Sequence, residues 1–114
     1  DEDFAPLLYS GETPNRSERV SVGNVVAVGE RPLPDLMDIS AEAGGWDRRP
    51  RRLPPVVIDG AECYHLRGTD QGRPRDEYGA VRGGDLIQIM FILSRPPAQR
   101  QRIQDSVLAT LRWS

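Results

Sequence analysis

The stretch from Val56 to Leu93 constrains this chain most, because runs with strand chemistry alternate there with short glycine turns. Val56-Val57-Ile58 leads into Asp59-Gly60, a dipeptide favoured in two-residue hairpin turns because both central residues need positive φ. Ala61 to Arg67 returns as a strand, and Gly68 to Pro74 is a further turn region. Asp76 to Arg82 and Leu86 to Leu93 then flank Gly83-Gly84-Asp85, a second tight hairpin. Consecutive hairpins lay neighbouring strands antiparallel. Leu86-Ile87 and Ile89-Met90-Phe91-Ile92-Leu93 are apolar at odd and even positions alike. That strand is expected inside the sheet, with material packed on each face.

The flanking segments supply another strand and two helices. Val20 to Val28 reads as a strand interrupted at Gly23-Asn24 by a bulge or tight turn. Its apolar tetrad Val25-Val26-Ala27-Val28 suits cover on both faces. Pro34-Asp35 opens a helix, since proline fits the first helical position and aspartate favours the positive end. Leu36, Ile39 and Ala43 make its apolar stripe, and Gly44-Gly45 ends it. Trp46 to Pro55, rich in arginine and proline, reads as a loop. After Leu93, Ser94 is expected to cap a helix with Pro96-Pro97 in its first turn. Ile103, Val107 and Leu111 share its apolar face with Leu108 beside them, and Trp113 anchors its end.

These elements predict one α+β domain over residues 20–114, preceded by an arm over 1–19 containing Phe4, Leu7, Leu8 and Tyr9. The length of 114 residues suits one domain, as domains usually run about 100–150 residues. Net charge is only -2, which argues against a nucleic-acid partner drawn in by long-range attraction. All 15 basic residues are arginine, as a GC-rich coding bias would produce, so arginine abundance has little functional weight. Cys63 is alone, which rules out an intramolecular disulfide and a cysteine metal cluster. No stretch reaches the roughly 18 apolar residues of a membrane helix. The start at Asp1, without methionine or a basic-then-apolar leader, fits either a chain whose leader was removed or one trimmed at its front. Asn15-Arg16-Ser17 matches a glycosylation acceptor and reads as loop chemistry.

Chemistry-bearing residues are sparse. His65 is the only histidine and shares a strand face with Ala61, Cys63 and Arg67, opposite Glu62, Tyr64 and Leu66. A Cys63-x-His65 pair could seed a metal site or a nucleophile pair, but no further Cys or His exists to complete it, so strand packing is the expectation. Asp76 and Glu77 point to opposite faces and cannot share a proton. Asp70, Asp76 and Asp85 could converge near the loops, although acids in such places are usually solvated. No Gly-x-Ser-x-Gly elbow, phosphate-binding glycine loop or dinucleotide fingerprint occurs, so neither a catalytic centre nor a cofactor or metal is expected. Tyr64, His65 and Tyr78 are candidates for a pocket between sheet and helix. Arg48, Arg49, Arg51 and Arg52, next to Trp46, are candidates for contact with an anion, with a solvated loop as the alternative.

The run from Val57 to Leu66, then Arg75-Asp76-Glu77-Tyr78, Gly83-Gly84, Leu86 to Phe91 and Asp105 to Trp113 resemble in order the PsbP-like superfamily. That superfamily includes DcrB-type proteins and actinobacterial LpqN-type lipoproteins. The resemblance covers about residues 20 to 114 and lies in element order and turn position. The front departs from it, lacking the family's initial strand pair and Pro-x-x-Trp-like segment. It implies an α/β/α sandwich, an antiparallel meander flanked by two helices. It also implies proteins that bind other proteins, often exported and lipid-anchored, with no shared active site.

The expected function is therefore a non-enzymatic protein-interaction or accessory domain, bacterial and exported or associated with the cell envelope. The alternative is a small-molecule binding or hydrolytic domain. A concave pocket lined by Tyr64, His65 and Tyr78 would favour the alternative, and a flat surface with an exposed apolar patch the first reading. The N-terminal arm either closes the sheet itself or exchanges with a second copy to give a homodimer.

Overall fold

Three two-residue turns generate most of the sheet in the computed structural model, which describes residues 18–113. The elements are β1 (Arg19–Val25), α1 (Leu33–Ala43), β2 (Arg51–Ile58), β3 (Ala61–Asp70), β4 (Arg73–Arg82), β5 (Asp85–Ile92) and α2 (Pro97–Thr110). Asp59-Gly60, Gln71-Gly72 and Gly83-Gly84 all take positive φ at both central positions. That conformation matches the right-handed twist of the strands it joins. β2 to β5 thus form a meander, and β1 adds beside β5 to give the antiparallel order β1-β5-β4-β3-β2. The chain is of mixed α+β type, and β5 lies inside the sheet between β1 and β4, as its doubly apolar sequence predicts.

Several boundaries differ from expectation. The turn expected across Gly68 to Pro74 shrinks to Gln71-Gly72, with strand on either side. The Asp47 carboxylate explains this, since it accepts from the amides of Gln71 at 2.8 Å and Gly72 at 2.9 Å and so holds the left-handed turn. The expected loop at Trp46 to Pro55 ends early, because β2 begins at Arg51. β2 tolerates Pro54-Pro55 because it is an edge strand and the prolines sit where its register shifts between Leu53 and Val56.

The first strand also departs from its expected form. Its register runs unbroken from Arg19↔Ile92 to Val25↔Leu86, so Gly23-Asn24 forms no bulge. Gly23 lies opposite Gln88, and an added Cβ would meet the Gln88 and Met90 side chains at 3.2 Å. The tetrad is not covered on both faces: β1 is an edge, Val26 is 70% exposed, and Ala27 turns out of the sheet at φ 58. Asp85 caps that turn by accepting from the Ala27 amide. The second helix is not capped by Ser94. Pro96 is its N-cap residue, without a side-chain bond, and the proline at the next position has no N–H to satisfy.

Alternation along the strands distributes two apolar clusters over opposite sheet faces. Leu36 and Met37 of α1 pack with Tyr64, Leu66 and Leu86. On the other face Ile103, Val107 and Leu108 of α2 pack against Cys63, Tyr78, Ile89 and Phe91. The chain end is tied to the β2–β3 hairpin: the Trp113 indole donates to the Ile58 carbonyl at 2.6 Å, and its amide donates to Asp59 at 2.8 Å. Glu18, just before β1, is buried and forked onto Arg95. Phe4, Leu7, Leu8, Tyr9 and the motif at Asn15 lie outside the described residues.

Candidate functional site

Arg75-Asp76-Glu77-Tyr78 on β4 would be a costly stretch to bury unpaired, yet all four residues are buried. An isolated charge loses several kcal/mol of hydration in such a place, so each must find partners. The strand alternation sends Asp76 and Tyr78 to one face and Arg75 and Glu77 to the other. Two separate polar networks result.

Beneath α1, Glu77 accepts from the Tyr64 hydroxyl at 2.6 Å, Gln88 at 3.3 Å and the Ser40 hydroxyl. Arg75 donates to its other oxygen at 2.6 Å and reaches Asp70 at 3.2 Å and the Gly44 carbonyl. The guanidinium also lies 4.0 Å from the centre of the Trp46 ring. Burial and then the Glu77 charge push the Tyr64 phenol far up, so it stays a neutral donor. This network joins α1 to the sheet, while Arg75 Nε and Trp46 Nε1 are buried within it without a hydrogen-bond partner.

On the α2 face, Asp76 receives His65 Nε2 at 3.0 Å and Arg67 Nε at 2.7 Å on Oδ1, and Gln104 at 2.6 Å on Oδ2. Burial alone would push the Asp76 carboxyl up, but these three donors outweigh it and hold the group below the usual carboxylate range. Gln104 also accepts from the Tyr78 hydroxyl at 2.6 Å, and His65 stacks on Tyr78 with ring centres 4.2 Å apart. Burial, followed by the Asp76 charge, raises the Tyr78 phenol.

That second network forms the inner wall of a cleft of about 630 Å³ between α2 and the edge strand β2. Leu53 to Ile58 form one side, Leu108 and Ala109 the other, with His65 and Tyr78 at the bottom. Asp59, Arg67, Asp105 and Arg112 add two charges of each sign. Its lining contains no serine, threonine or cysteine. The Cys63 thiol lies nearby but is fully buried, and burial pushes it up to about 11. An Asp76–His65 pair could hold a proton-accepting imidazole, but only a water or a ligand could serve as its nucleophile here. Among the described residues, no three His, Cys, Asp or Glu side chains gather as metal ligands would.

The structure therefore brings His65 and Tyr78 together and leaves Tyr64 on the opposite face, under α1. It also divides the four arginines. Arg49 and Arg52 both pair with Asp38 of α1, whereas Arg48, Arg51 and the flank of Arg49 line a separate concavity with Arg67. Asp70, Asp76 and Asp85 do not converge, being occupied respectively with Arg75, with the α2 network and with the Ala27 amide. Sequence reasoning missed Arg67, Gln101 and Gln104. One signal was available, because counting outward from Gln71-Gly72 sets His65 opposite Tyr78 and Arg67 opposite Asp76. Among the described residues no helix is long and apolar enough to cross a membrane. Compared with protein families, curated proteins and solved structures, the chain finds no match.

Proposed function

We propose that this chain is a non-enzymatic interaction domain that holds an extended peptide segment of a partner protein in the cleft between α2 and β2. The observation that carries this reading is the shape of the cleft, an open trough with one wall made by consecutive residues Leu53 to Ile58. Val57 on that wall is 71% exposed, and Pro54 and Pro55 stand beside it. Prolines blunt the edge against strand addition, so a guest would engage side chains in the trough rather than the β2 backbone. Charges of both signs at the cleft suit a polar segment with one or two apolar anchors. The helix-covered sheet faces and the element order support an α/β/α sandwich of the PsbP-like kind, and with it an exported accessory role.

Selection of random displayed peptides on the immobilised domain tests the reading. Enriched peptides should bind the native chain and lose at least tenfold in affinity to Ala109→Trp, which fills the cleft from an exposed helix position. Enriched peptides that bind this variant equally well, or no enrichment at all, would remove the proposal. A second reading, a small-molecule or hydrolytic pocket, draws on His65 in the cleft lining, backed by Asp76 behind it. It requires turnover of ester or phosphate-ester substrates that disappears in His65→Ala.

A further inference from the structure

Arg51 and Arg67 stand directly opposite each other across β2 and β3. Like charges in that position repel, and a sheet ordinarily avoids them. Arg48 joins them around a concavity of about 550 Å³ that also includes Gly68, Thr69 and Arg49, the last already paired with Asp38. Among the described residues, neither Arg48 nor Arg51 makes a hydrogen bond or ion pair with its side chain. Arg67 uses Nε on Asp76 and Nη2 on Gln101, which leaves Nη1 available. The one carboxylate in the concavity, Asp47, directs its oxygens to the amides of Gln71 and Gly72, and among the arginines its charge interacts with Arg48.

The loop that presents Arg48 is held firmly. The Asp47 amide donates to the Thr69 carbonyl at 2.9 Å. Trp46 lies so close to Gly68 that a Cβ there would approach its ring to 3.1 Å. Three guanidiniums are thus gathered from an anchored loop and two paired strands, in a chain whose net charge is -2. Holding their backbones in place before binding reduces part of the ordering cost of taking up an anion, leaving only the exposed side chains of Arg48 and Arg51 to be ordered.

From this convergence we infer that the concavity lined by Arg48, Arg51 and Arg67 binds a phosphate group, either inorganic phosphate or a phosphate monoester. A carboxylate is matched by one guanidinium fork. A phosphate dianion offers three acceptor oxygens and a charge of about -1.5 to -2, which suits several forks at once. The site is independent of peptide binding in the α2–β2 cleft, although Arg67 also borders that cleft.

Amide NMR of the full chain, titrated with inorganic phosphate or with phosphoserine at constant ionic strength set by chloride, tests the site. Saturable shifts centred on Gly68, Thr69 and Arg51 are expected with at least one probe. Arg48→Gln and Arg51→Gln should each weaken binding about fivefold or more, while Arg52→Gln, whose arginine pairs with Asp38 and lies outside the concavity, should leave it unchanged. Tighter binding of inorganic phosphate would identify the free ion as the source, and tighter binding of phosphoserine an ester. In phosphate-free buffer Arg51→Gln should melt no lower than the native chain, as removal of a repelling charge requires. Non-saturating shifts with both probes, equal weakening by Arg52→Gln, or a clear loss of melting temperature in phosphate-free Arg51→Gln would each overturn the proposal.

Discussion

Replacing Gln104 by leucine tests whether the α2 face is organised by its polar network. The carboxamide of Gln104 is buried and bonded at both ends, to Asp76 at 2.6 Å and to the Tyr78 hydroxyl at 2.6 Å. Leucine has a similar size but neither donor nor acceptor. It removes a hydrogen bond to a charged group, worth about 1.5–3 kcal/mol, and leaves a buried phenol unpaired at about 1–3 kcal/mol. The apolar gain of leucine offsets part of this, so a net loss of about 3 kcal/mol is expected, a large share of a total of about 5–15 kcal/mol. With a urea slope of about 1–3 kcal/mol/M, the unfolding midpoint should fall by about 1–3 M. A double-mutant cycle with Tyr78→Phe should cost less than the two single changes together, because both disrupt one bond. Acid unfolding provides a second readout. Asp76 is depressed in the folded state, so its contribution is present above the unfolded carboxylate value of about 3.9 and is lost as pH falls through the folded value. Losing the Gln104 donor raises the folded value, and the acid midpoint of the variant should therefore move to higher pH. A urea cost under about 0.5 kcal/mol together with an unmoved acid midpoint would refute the reasoning.

Ile89→Ala opens a cavity beside a fully buried position and should cost about 2–5 kcal/mol by the same urea assay. Gly79→Ala places a Cβ 2.5 Å from the buried Tyr64 ring, so thermal melting should show a loss of about 1–3 kcal/mol or more, partly rescued by Tyr64→Leu. With its thiol pushed up to about 11, Cys63 should react with a disulfide reagent at pH 8 far more slowly in the folded chain than in urea. Because the folded thiol holds its proton where the unfolded one releases it, stability should also fall as pH rises from about 8.5 towards the folded value; rapid native reactivity would show that the thiol is accessible.

The sheet was the most legible part of the chain because its determinants are local. Asp59-Gly60 and Gly83-Gly84 announce turns through their own conformational freedom, and the unbroken apolar run of β5 reports cover on both faces. The third turn was blurred because Gln71 carries no such signal; it is held by Asp47, a residue 24 positions earlier in the chain. Likewise, the strand character of Arg51 to Pro55 depends on an edge position beside β3, which no local pattern in that proline-rich stretch announces.

For the site, sequence alternation alone separates His65 from Tyr64 and Asp76 from Glu77, since adjacent strand residues face opposite ways. What it cannot supply is the neighbour across the fold. Gln104 looks like one more polar residue on a polar helix until α2 is laid over β4, where it completes the partners of Asp76 and Tyr78. The arginine run shows the same division most clearly. Composition makes Arg48, Arg49, Arg51 and Arg52 equivalent, but packing pairs Arg49 and Arg52 with Asp38, sets Arg48, Arg49 and Arg51 beside Arg67, and leaves Arg52 outside that concavity. The sequence determines which side chains share a strand face, because that follows from a two-residue repeat; which charges meet is decided only when separate elements pack and lose their water.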